Sequence, residues 1–325
     1  MSTRAKLGVV AASAVLLASG AVGYAALAAE PPRTPPAAAA GDQAVALTPG
    51  PRLLAVTDRH VSSVATADPA GPRTVSGLEC LRVYAAAGTG VCLKPDTAWS
   101  YQVVVLDAAL NQRRTLSVPG LPNRARVSAS GRMVSWTTFV GGDSYTASGF
   151  STRTGILDTV TGATVPSLEG FAVTRDGRAY RSPDVNYWGV TFTADDNRFY
   201  ATMSTGGKRY LVRGDVAART VATLRENVEC PSLSPDGTRI AFKQAIDADP
   251  RKGWRLSVLD LASGRITATA ETASVDDQAA WLDDATLAYT LRQSDGRPDV
   301  FGVPADGSGR PKLLIPNAES PSPLT

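Results

Sequence analysis

The sequence predicts an all-β chain folded as a ring of repeated four-stranded units, and three observations carry that prediction. Beyond residue 50 no long helical periodicity appears; short β-branched runs are broken every few residues by Gly, Asn-Asp or Pro, the pattern of strands joined by tight turns. A strand ending in Asp, then a tight turn, then another strand recurs six times: SVATAD-PAGPRTV, VVVLD-AALNQRRTL, GILD-TVTGATV, LVRGD-VAARTV, SVLD-LASGRIT and GVPAD-GSGRPKL. A second hairpin element is interleaved with the first and precedes its aspartate. Successive aspartates lie 39, 51, 57, 45 and 46 residues apart, the length of one four-stranded blade. The predicted fold is therefore a six-bladed β-propeller, with seven blades as the alternative.

In chain order, residues 1–28 come first. Arg4 and Lys6 precede an uncharged run from Leu7 to Ala29, with Ala26-Leu27-Ala28 as a small-x-small site, which reads as a secretory signal peptide. The run is also long enough for an uncleaved membrane anchor, which needs about 20 residues. Either reading makes the protein secreted or extracytoplasmic, in contact with a membrane only through this segment. Residues 29–50, rich in Pro and Ala, read as a tether, and residues 51–325 as the propeller.

Within the propeller, Arg52-Leu53-Leu54-Ala55-Val56 matches the second strand of a repeat, and the C-terminal AESPSPLT matches a first strand. Residues 319–325 and 52–77 are thus expected to share one blade, which closes the ring and covers sheet edges. The six strand-ending aspartates, Asp68, Asp107, Asp158, Asp215, Asp260 and Asp306, suit turns whose backbone N–H groups a carboxylate can accept. The interleaved hairpins are RVSASGRMVSW, GVTFTADDNRFYAT, PSLSPDGTRIAF and AAWLDDATLAY. Residues 164–187 exceed the blade length. Their own hairpin pattern around Asp176-Gly177 is read as an insertion on one rim in preference to a stunted seventh blade.

The segment PSLSPDGTRIAF, residues 231–242, resembles the TolB-type, WD40-like (PD40) propeller repeat, a strand followed by Ser-Pro-Asp-Gly and Ile-Ala-Phe. The resemblance extends over residues 51 to 325, and the chain looks like exported TolB-like proteins of actinobacteria. It implies a docking platform for proteins or peptides. TolB proteins carry an additional N-terminal α/β domain where this chain has the tether, so what carries over is a general scaffold role.

Composition narrows the function. Thirty-three basic against thirty acidic residues, net +3, is a mixed balance with no case for nucleic acid. One histidine, His60, leaves little for general base or metal chemistry, no G-x-S-x-G motif is present, and no catalytic residue is assigned. Aligning the repeats places Glu79, Asn123, Trp188, Glu229, Asp277 and Glu319 just before the innermost strands, at the mouth of the central channel. Four of the six are acidic; converging carboxylates raise one another's pKa and attract cations. They suit Ca²⁺ or a basic or N-terminal peptide segment, against the alternative of ordinary solvated loop acids. Cys80 and Cys92 are read as a disulfide and Cys230 as free and buried. The predicted function is a monomeric, exported, non-catalytic scaffold with an unidentified protein or peptide partner. The alternatives are a carbohydrate- or peptide-processing hydrolase or lyase, and a membrane-tethered ligand sensor.

Overall fold

The computed structural model of the protein describes residues 44–97, 100–140 and 151–324. The signal or anchor segment and the first part of the tether lie outside the described residues.

Among the described residues, twenty-six strands follow one another with only short 3-10 turns between some of them. The first three are β1 (Arg52–Thr57), β2 (His60–Ala65) and β3 (Thr74–Glu79). The second sheet is β4 (Arg82–Ala86), β5 (Thr89–Pro95), β6 (Ser100–Leu106) and β7 (Gln112–Pro119). The third is β8 (Leu121–Val127), β9 (Met133–Val140), β10 (Ser151–Asp158) and β11 (Thr164–Val165). A hairpin of β12 (Ala172–Arg175) and β13 (Arg178–Tyr180) precedes the fourth, β14 (Asn186–Phe192), β15 (Arg198–Thr205), β16 (Lys208–Asp215) and β17 (Thr220–Glu226). The fifth is β18 (Glu229–Leu233), β19 (Arg239–Ala245), β20 (Trp254–Asp260) and β21 (Ile266–Ala268). The sixth is β22 (Ala280–Trp281), β23 (Thr286–Arg292), β24 (Pro298–Pro304) and β25 (Lys312–Ile315). The last strand, β26 (Glu319–Pro323), lies antiparallel to β1, with Leu53 opposite Pro323 and Leu54 opposite Ser322.

The first blade is therefore ordered β26-β1-β2-β3, made from both ends of the chain. The innermost strands touch in sequence round the ring, β26 to β4 to β8 to β14 to β18 to β22 and back to β26. Six blades are present. Hydroxyls seal the closing seam: Ser320 Oγ bonds the backbone of Val83, and Ser322 Oγ that of Ala85. These contacts join the last strand to the next blade, while its pairing with β1 holds it in its own.

Packing follows from the strand period of two. Leu54 and Val56 face the second blade, where they meet Val83, Cys92 and Leu106. Their neighbours Leu53 and Ala55 face the sixth, where they meet Ala288, Val300 and Ile315. The same alternation gives one apolar cluster at every junction between blades. Leu47, in the stretch before β1, is fully buried in the cluster between the first and second blades, and its backbone N–H donates to Ala108 O at 2.7 Å.

Five of the six turn aspartates act as their positions predict. Asp107, Asp158, Asp215, Asp260 and Asp306 each accept at least one backbone N–H from the turn that follows. Residues 164–187 differ from the expected rim insertion. The β12–β13 hairpin extends the fourth blade sideways: β12 pairs in parallel with the outermost strand β17, Ala172 to Thr174 against Thr220 to Ala222, and makes a six-stranded sheet. The unpaired edge of β17 was available to it, and Leu168 and Phe171 anchor the approach in the core.

Candidate functional site

The mouth of the channel is built where the innermost strands begin. Glu229 opens β18, Glu319 opens β26, and Asn123 lies in β8 at a bulge between Pro122 and Arg124. Asp277 precedes β22, and Trp188 is buried in β14. Glu79 is a correction. It ends β3, the outermost strand of its blade, and its half-exposed carboxylate pairs with Arg59 in the β1–β2 turn. Two residues, Cys80 and Leu81, carry the chain inward from there, so the residue delivered to the mouth is Arg82.

The arrangement is not a ring of free carboxylates, because cations answer each one. Arg82 Nη1 stands 3.6 Å from Asp277 Oδ1 and 3.9 Å from Glu319 Oε2. Arg292 donates to Glu319 Oε2 at 2.8 Å. Lys243, 4% exposed, donates to Asp276 Oδ1 at 2.5 Å, approaches Glu229 Oε2 at 4.0 Å and lies over the Trp254 ring. Glu229 also accepts from Trp254 Nε1 at 3.0 Å and faces Arg209. Asp277 accepts the backbone N–H of Thr290. At Asp276, which lies outside the six aligned positions, partial desolvation pushes the carboxyl up, but Lys243 and Arg124 outweigh that and hold it below the ordinary value. Among the described residues no group of three or more His, Cys, Asp or Glu is placed to share a metal ion.

Two arginines reach across the ring. Arg124, from the third blade, meets the backbone and carboxylate of Asp276, on the approach to the sixth, at 3.3 and 3.4 Å. Cys230, the free buried thiol, lies near it. Arg126 donates to Ala279 O at 3.1 Å and lies 4.2 Å from the centre of the Tyr84 ring. Gln278 adds a third tie, donating to Pro231 O and Val190 O in the fifth and fourth blades. What remains is an opening of about 20 Å³ lined by Arg82, Arg124, Arg126, Asp277, Gln278 and Ser320 among others, room for about one water molecule.

The aligned repeats placed five of the six residues at or near the start of the innermost strands and missed the cations beside them. Arg82, Arg124, Arg126 and Lys243 lie within a few residues of the aligned positions or opposite them: Lys243 is the cross-strand partner of Glu229. A strand register, more than residue type, would have found them. Cys80 and Cys92 are bonded, their Cα atoms 5.6 Å apart, tying the connection between the first two blades to β5. Trp281 donates to Ser232 O, a packing tie between blades. His60 stands in β2 with Nδ1 at 2.8 Å from Asp58 O.

No family model matches the chain, and no curated protein matches it. Solved structures do. TolB from Acinetobacter baumannii superposes with a TM-score of 0.63 at 16% identity, over 85% of this chain and 67% of that one. A TolB-type protein from Agrobacterium tumefaciens gives 0.52 at 11% identity, over 84% and 91%. An oligogalacturonate lyase in complex with manganese gives 0.43 at 9% identity over 76% of this chain, too distant to bear on chemistry. Strand order, ring closure and superposition agree: this protein is a six-bladed β-propeller of TolB-like fold.

Proposed function

We propose that the protein is an exported scaffold that binds a protein or peptide partner at the channel mouth where the innermost strands begin. The observation that carries this reading is the concentration of buried, oriented charges there. Lys243, Glu229, Asp277, Arg124 and Arg126 are each at most 6% exposed. Burying ion pairs adds little stability compared with apolar packing of the same volume, so such a cluster on a rigid ring is better explained by recognition than by folding. The mixture of signs favours a partner surface with complementary charges of both signs. TolB-like architecture supports a scaffold role as fold-level analogy. The N-terminal charged and apolar segment supports export, and so does the Cys80–Cys92 bond, a linkage of oxidising compartments.

The test is recovery of a partner from envelope extracts on the immobilised full chain, compared with Arg82→Glu and Arg292→Glu at the mouth and Arg225→Glu on the outer strand of the fourth blade. One protein recovered in equal amount to the bait, lost with the mouth substitutions and retained with Arg225→Glu, is the expected result. Recovery indifferent to the mouth substitutions would refute the assignment, as would turnover of a polysaccharide or peptide by the pure protein.

A further inference from the structure

We infer that the opening between Arg82, Arg124 and Arg126 is an anion-binding site for a single anionic atom: a halide ion, or one oxygen of a carboxylate entering from the mouth. The site can fill whether or not a partner docks, so the inference does not rest on the scaffold reading.

The argument begins with charge. Three arginines line the opening against one acidic residue, Asp277. Asp277 and Glu319 face Arg82, and Asp276 answers Arg124 while also holding Lys243. Arg126 has no carboxylate partner among the described residues. It is 4% exposed, its Nη2 bonds a backbone carbonyl, and the Tyr84 ring covers one face. A guanidinium cannot shed its proton in a protein, and a buried charge without a counter-ion is strongly unfavourable.

Hydrogen bonding points to the same place. Nε of Arg124 and Nε of Arg126 are both buried and both lack an acceptor, although buried N–H groups are nearly always paired. Both residues line the same opening, which admits one water-sized occupant. A water could accept from these donors but would leave the charge uncompensated. An anion of that size satisfies both requirements.

The experiment is thermal melting of the full chain in sodium chloride, sodium acetate and sodium gluconate at equal ionic strength, which holds general screening constant. Chloride is expected to raise the melting temperature above that in gluconate, by an increment that grows with the logarithm of concentration above the dissociation constant. Arg126→Met should lose the increment while melting in gluconate no lower than the parent, since it removes the uncompensated charge. Acetate acting like chloride assigns the site to carboxylates; acetate acting like gluconate assigns it to free halide. Bromide-soaked crystals of the parent should show an anomalous peak among the three arginines. An absent peak, no chloride increment in the parent, or an equal increment in Arg126→Met overturns the site.

Discussion

At the scale of single residues, the turn aspartates do more than terminate strands. Asp158 accepts the N–H groups of Val160 and Thr161 and forms two hydrogen bonds with Arg132, at 3.1 and 2.7 Å. The Arg132 bond is the largest influence and holds the Asp158 carboxyl well below the usual carboxylate range, against a smaller upward push from burial. A carboxyl depressed by folding contributes stability that is complete above its unfolded value, about 4, and is lost as pH falls through the folded value. Asp158→Asn is therefore expected to destabilise the protein at neutral pH, and the gap between parent and variant should close progressively below about pH 4. Chemical denaturation across that range checks it; a gap that stays constant would mean the ion pair contributes nothing. Close approach sets another residue. Gly189 has φ +65°, and a Cβ there would lie 2.8 Å from the Cys230 Cα of the next blade, which only glycine avoids.

At the scale of elements, the decisive strand is β26. It supplies the innermost position of the first blade, pairs with β1, and through Ser320 and Ser322 also holds β4. Removing residues 318–325 takes away buried Ala318, Ser322 and Leu324 and opens the inner edge of β1. A loss of several kcal/mol is expected from burial alone, at about 1.5–3 kcal/mol for a large apolar side chain, with exposed-edge association in addition. Differential scanning calorimetry and light scattering on the truncated chain test this, and a melting temperature equal to the parent's would show that the seam is not structural. Much of this was legible, because Glu319-Ser320-Pro321-Ser322 echoes Glu229-Cys230-Pro231-Ser232 and the ends of a ring must meet. The β12–β13 hairpin was legible as a hairpin, from Asp176-Gly177 between two short runs. Its attachment was not, since parallel pairing with β17 depends on a sheet edge that only the folded fourth blade presents.

At the scale of the whole molecule, the ring is closed twice over in one region. The β26 seam and the Cys80–Cys92 bond both lie at the junction of the first and second blades, in the cluster that also buries Leu47 and Leu324. The disulfide spans a sequence separation of 12, and loop-closure reasoning gives about 2–3 kcal/mol for a loop of that size. Replacing both cysteines with serine should therefore lower the melting temperature by roughly 3–5 °C for a domain this large, without changing the far-ultraviolet dichroism. A larger collapse of structure would mean that the bond, more than apolar packing, holds the first two blades together.

By itself the sequence determined the repeat, the all-β class and the meeting of the two ends, and it narrowed the blades to six or seven. These depend on local turn chemistry and on a period of two, both written along the chain. Only the tertiary structure decided the electrostatic character of the mouth. Arg124 and Asp276, like Arg126 and Ala279, are about 150 residues apart and meet across the axis, so their pairing depends on ring geometry that no local pattern encodes. That is why an alignment of neighbouring acids anticipated a cation site, whereas the folded ring sets arginines and a lysine against those acids and leaves positive charge to spare.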